Sequence, residues 1–224
     1  MMLIVRLYPE TSREKIWDFV VNKFREYRSA GCTPLYASQR EDAEHVSVIF
    51  DAEKIDDMAQ FLVDEIVECP EIRKTRTITL MKPVFFPVPK NRPKKLSRYR
   101  VAMRVYPSHY RNVYNKLLHR DYHEELFPTY MAFSFGEDDL LLSMLAPSTG
   151  EIKEYAEEHM EPMEGVKSVD ISLITKSCRL MPREEWKKYR RRRYLVPPTE
   201  KHDEEFDWTL SELAALSGAF PEEL

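Results

Sequence analysis

Two stretches of this 224-residue chain carry side chains whose type and spacing could do chemistry. The first is an acidic turn, Ser134-Phe135-Gly136-Glu137-Asp138-Asp139, set between apolar runs. Gly136 can take a positive φ, so the backbone N–H groups of the turn could hold a carboxylate while an aspartate holds an ammonium group. That makes Ser134, Phe135, Gly136, Asp138 and Asp139 a candidate pocket for a small, amino-acid-like effector; the plainer alternative is a tight turn with solvated acids. The second stretch is basic: Lys187, Lys188, Arg190, Arg191, Arg192 and Arg193, with Tyr189 and Tyr194 among them. Cations track phosphates and tyrosines stack on bases, so this run is a candidate nucleic-acid or partner contact, or else a solvated segment paired with the acidic tail after it.

Other constellations carry less. His119 and His123 have the i, i+4 spacing of two metal ligands on one helix face, but no third ligand accompanies them. Glu124 with Glu125, and Asp138 with Asp139, are sequence neighbours expected to point apart, which disfavours paired acid–base work. No Ser/His/Asp or Cys/His set stands out, and five glycines against fifteen prolines disfavour phosphate-cradling loops. No catalytic residue, metal or cofactor is expected.

The elements that must position these residues form a repeat. Residues 3 to 8 read as a strand ended by Pro9. A helix follows, with Thr11 and Glu14 as a capping box and Ile16, Phe19, Val20 and Phe24 on one face. Strands at 33–39 and 45–51, a helix at 54–68 with Ile55, Met58, Phe61, Leu62 and Ile66 inward, and a strand around Thr75 to Met81 complete a βαββαβ unit. The order then recurs. Arg6-Leu7-Tyr8-Pro9 is echoed by Arg104-Val105-Tyr106-Pro107, Pro34-Leu35-Tyr36 by Pro128-Thr129-Tyr130, and Leu80-Met81 by Leu180-Met181. The expected fold is α+β: two tandem ferredoxin-like βαββαβ units whose bare, apolar sheet faces pack sheet to sheet in a dimeric α+β barrel-like pseudo-dimer. The expected domains are 1–83 and 99–182, joined by the proline-rich basic linker 84–98 and followed by a basic segment, 183–198, and an acidic tail with a short helix, 199–224.

In the second copy, Gly136, Asp139 and Leu140, followed by Gly165-Val166, resemble the glycine turn and Gly-Val strand entry of the ligand-binding (RAM) domain of the leucine-responsive regulator/AsnC family. Phe135 stands where that pattern has Thr. The first copy has Asp42, His45 and Glu71 at the matching places. The resemblance implies a ferredoxin-like effector domain, and the helix-turn-helix usual in that family is not expected here because the first strand begins at residue 3.

The resulting expectation is a non-enzymatic regulatory protein that senses a small effector or mediates assembly. A nucleic-acid- or ribosome-associated factor is the first alternative, and an enzyme with a site between the two sheets is the second. A net charge of −4 argues against a generally basic nucleic-acid binder. Three dispersed cysteines and short apolar runs suggest a reduced, cytoplasmic protein with no membrane contact. The expected partners are a small-molecule effector, a second copy or a protein engaged through the C-terminal tail, and RNA or ribonucleoprotein.

Overall fold

Alternation of Leu3, Val5 and Leu7 with Met2, Ile4 and Arg6 makes the first segment a strand with one face for helices and one without them. In the computed structural model, which describes residues 1–25, 27, 31–69, 71–135, 138–186 and 189, that strand is β1 (Met2–Pro9). It is followed by α1 (Arg13–Phe24), β2 (Cys32–Arg40), β3 (Val46–Ala52), α2 (Ile55–Phe61) and β4 (Ile72–Phe85). The second series is β5 (Ser97–Val105), α3 (Tyr110–Leu118), β6 (Phe127–Phe135), β7 (Leu140–Ala146), α4 (Thr149–His159) and β8 (Val166–Arg179). The fold is α+β, with eight antiparallel strands.

The chain forms two compact units. The first comprises Met1–Met81 and Ile174–Tyr189, and the second, among the described residues, is Lys82–Leu173. In the first, the strand order is β4-β1-β3-β2, and the last part of β8 pairs with β2 from Tyr36↔Arg179 to Arg40↔Ile174. α1 and α2 cover one face, where Ile16, Val20, Phe24, Met58 and Phe61 meet Leu3, Val5, Leu7, Val48 and Phe50. Phe24, fully buried, touches Phe50, Phe61 and Tyr27 at ring-centroid distances of 6.3, 5.1 and 6.1 Å. In the second unit the first part of β8 pairs with β5, and the order continues β5-β7-β6. Val113, Leu117, Ile152 and Ala156 of its two helices lie on Tyr99, Val101, Met103, Leu142 and Met144.

Several local expectations are corrected. Ser12, not Thr11, is the N-cap of α1; the Thr11 hydroxyl donates to Glu71 instead, so the Thr11/Glu14 capping box is not formed. The second helix changes to a π-helical turn at Leu62–Ile66, and Ile55, its first residue, is exposed rather than inward. The strand expected from Thr75 to Met81 runs from Ile72 to Phe85. α3 ends at Leu118, and His123 sits in an isolated bridge with Leu126, so His119 and His123 share no helix face. The helix-free face of the second unit, expected to be apolar, is mixed: Arg98, Arg100, Ser143 and Ser172 share it with buried Ala102, Ala132, Leu141 and Leu145.

Candidate functional site

The acidic turn is the first place to look. The residues Gly136 and Glu137 lie outside the described residues, but their neighbours are placed. Asp139 accepts hydrogen bonds from the backbone N–H of Val105 at 2.7 Å and from the Tyr110 hydroxyl at 2.5 Å. Its own N–H donates to Met103 O at 3.0 Å. This carboxylate therefore pins the end of β5 to the start of α3. The hydrogen bond to Asp139, more than burial, raises the Tyr110 pKa, because ionising the phenol would give up the donated proton beside a carboxylate. Asp138 pairs with the Arg100 guanidinium, and the Ser134 hydroxyl donates to the Asp138 carbonyl. Phe135 is exposed. The structure thus brings Ser134, Asp138 and Asp139 together but engages all three with the protein's own groups. The whole basic set, Lys187, Lys188, Arg190, Arg191, Arg192, Arg193 and Tyr194, lies outside the described residues.

A second polar group, missed in the sequence, crosses the helix-free face of the second unit. Cross-strand pairing lines up Ser172 (β8), Arg100 (β5), Ser143 (β7) and Tyr130 (β6) in one row. Residues directly opposite in a ladder share a face, so the four project together. Arg98, two residues along β5, points the same way. Its Nη1 donates to Ser143 Oγ at 3.0 Å and to Thr129 Oγ1 at 3.4 Å, and Thr129 Oγ1 donates to the Ser143 carbonyl at 3.1 Å. Arg100 also reaches Asp170 at 3.4 Å. Thr129, Ser134 and Ser172 are buried, as is the Tyr130 phenol oxygen. Burying guanidinium and hydroxyl groups is costly unless each is hydrogen-bonded, and Arg98, Thr129 and Ser143 are held by one another. The available signal was Arg98-Tyr99-Arg100, two charges alternating in a strand that also carries Arg104. The hydroxyls gave no local sign, since they come from three other strands.

On the other face of that sheet Tyr114 stacks on Phe133 with centroids 4.6 Å apart, and Tyr122, Tyr155 and His159 form a second aromatic group. Burial pushes the phenols of Tyr114, Tyr122 and Tyr155 up, so they remain protonated. The thiols of Cys32, Cys69 and Cys178 are free and buried, and burial raises each of them, Cys32 to about 12. Among the described residues no group of three or more His, Cys, Asp or Glu is placed to hold a metal ion, and no helix is long and apolar enough to cross a membrane.

No family model matches the chain, and no curated protein matches its sequence. Its fold does resemble solved structures. A candidate monooxygenase of Fusobacterium nucleatum subsp. nucleatum superposes with a TM-score of 0.50 at 10% identity, covering 80% of this chain and 92% of the other. An anthrone oxidase-like protein gives 0.50 at 7% identity over 81% and 94%. The siroheme decarboxylase NirDL gives 0.51 at 8% over 85% and 77%. These neighbours correct the resemblance to leucine-responsive regulator/AsnC ligand-binding domains, which rested on a short glycine-turn pattern. They also overturn the non-enzymatic regulatory reading, since these neighbours are a candidate monooxygenase, an anthrone oxidase-like protein and a siroheme decarboxylase.

Proposed function

We propose that the protein is an oxidoreductase built on two ferredoxin-like units, acting on an aromatic organic substrate with dioxygen. The observation that carries this reading is the row Ser172-Arg100-Ser143-Tyr130, with Arg98 and Thr129 beside it, on a sheet face where apolar packing was expected. Its chemical meaning is electrostatic. Guanidinium and hydroxyl donors favour the ionised form of a phenol or enol, and the resulting electron-rich anion is the form that gives electrons to dioxygen. The fold likeness supports the same class, since one neighbour is a candidate monooxygenase and another an anthrone oxidase-like protein. The buried thiols support the cytoplasmic setting.

Anthrone is a suitable probe. Anthrone and dioxygen give the quinone and one water, so oxygen uptake and product mass can be followed together. The expected result is uptake well above the buffer rate, reduced at least tenfold in Arg98→Met and Ser143→Ala. A wild-type rate equal to buffer for anthrone and for a panel of hydroquinones would overturn the proposal.

A further inference from the structure

The first unit has a polar row of its own, on the sheet face turned away from α1 and α2. Leu3, Val5 and Leu7 of β1 pack under those helices, so Arg6 projects from the other face, where it is 3% exposed. Ladder register extends the row in both directions. Arg6 stands opposite Arg76 of β4 on one side and Ser47 of β3 on the other, Ser47 opposite Ser38 of β2, and Ser38 opposite Ser177 of β8. All five belong to one unit. The adjoining ladder positions on this face add cations and no acid: Tyr8 and Lys74 on one side, and Ile78, Ile4, Ile49, Tyr36 and Arg179 on the other. Lys74 lies over the Tyr8 ring at 4.6 Å. Asp42, Glu44 and Asp51, in and before β3, pair with Arg40, Arg73 and the N-terminal ammonium at 3.6, 3.3 and 3.2 Å.

We propose that the row Arg76-Arg6-Ser47-Ser38-Ser177 is a binding site for a small oxyanion, a phosphate or carboxylate group, held chiefly between the two arginines. Like charges directly opposite in a ladder repel, and the repulsion is screened least where one of them is shut from water, as Arg6 is. An anion between the guanidiniums turns that repulsion into two attractions. Arg6 and Arg76 each have further interactions within the protein, but a guanidinium carries five N–H donors, so such contacts leave donors over. Its planar fork matches the oxygens of a phosphate or carboxylate. Arg76 is exposed and the three serines are half-buried, which gives a ligand a way in. Serine hydroxyls add donors that bring no charge of their own, and among the described residues these three have no hydrogen-bond partner. The site involves no bond change and belongs to the first unit, so it stands independently of the oxidation chemistry assigned to the second.

Calorimetric titration and thermal melts of the full chain test this, with inorganic phosphate and acetate as probes and sodium chloride of equal ionic strength as the reference. The expected result is saturable binding of at least one probe and a rise in melting temperature over the chloride reference. Phosphate alone would mark a phosphate site, acetate alone a carboxylate site, and both a general oxyanion site; each supports the proposal. Arg76→Met should weaken binding about tenfold, and Ser47→Ala should weaken it by a smaller factor. Both positions are open enough to solvent for the variants to fold, which their own melts in chloride check. Arg73→Met is the control, because Arg73 lies three residues away on the same strand and is paired with Glu44; it should bind as the wild type does. The proposal is overturned if neither probe binds the wild type beyond the chloride reference, or if Arg76→Met binds unchanged. It is equally overturned if Arg73→Met loses as much affinity as Arg76→Met, which would make the effect one of diffuse surface charge.

Discussion

The phenol of Tyr110, on α3, donates to the carboxylate of Asp139, the residue before β7, over 2.5 Å, and the same carboxylate takes the backbone N–H of Val105 at 2.7 Å. One side chain therefore closes the second unit where β5, β7 and α3 meet. Asp139→Ala leaves both donors without their acceptor and should cost about 2–4 kcal/mol. Tyr110→Phe removes only one bond and should cost about 1 kcal/mol. Urea unfolding of the two variants checks the order, and equal losses would contradict the shared-acceptor account.

Gly165 has φ +90, and a Cβ added there would lie 2.2 Å from His109 Cβ. Gly165→Ala therefore combines a left-handed backbone with a clash and should cost about 2–4 kcal/mol. Removing the opposing Cβ with His109→Gly should recover part of it. The coupling between the two sites in a double-mutant cycle is the measurement, and strict additivity would show that the contact is not the cause.

Lys82 has φ +46, the only positive φ among the described residues other than glycine, and it precedes Pro83. Left-handed backbone costs a side chain roughly 1–2 kcal/mol, and glycine escapes that while losing more freedom on folding. Lys82→Gly should raise stability by about 0.5–1 kcal/mol, whereas Lys82→Val should lower it. Thermal melts of both variants give the sign directly.

The Cys32 thiol is buried and raised by desolvation to about 12 from an ordinary 9.0. The folded protein therefore holds this proton where the unfolded chain gives it up. Its contribution to stability is complete below pH 9 and is lost as pH rises from 9 towards 12. Cys32→Ala should flatten the alkaline fall in unfolding free energy. Alkylation of the native wild type at pH 8.5 should leave Cys32 unmodified, with rapid labelling in denaturant.

Much of the architecture was legible because short-range rules govern it. The echo of Arg6-Leu7-Tyr8-Pro9 in Arg104-Val105-Tyr106-Pro107 marks equivalent strand ends, and in the structure Lys74 covers the Tyr8 ring and Lys167 the Tyr106 ring, at 4.6 and 4.2 Å. The spacing of Ile16, Val20 and Phe24 is helical and all three are buried. What failed was non-local. Thr11 fitted a capping box, yet Glu71, sixty residues on, offered its hydroxyl a different partner. Gly136 and Gly165 suggested a regulator family through a short pattern that the first unit, with Asp42 and Glu71 at the matching places, does without. The row on the helix-free face draws Arg100, Tyr130, Ser143 and Ser172 from four strands, and only the register of the ladders aligns them.

Strand β8 has a final consequence. Its last residues, Ile174 to Arg179, are the partners of β2, although 134 residues or more separate them in the chain. A protein cut within 84–98 would give a first half with all of β1 to β3 but with the outer edge of β2 stripped of its ladder. Unpaired N–H and C=O groups along an edge recruit other chains. The halves produced separately should therefore aggregate or recombine, and a permuted chain that keeps 174–189 beside β2 is the one to remain monodisperse.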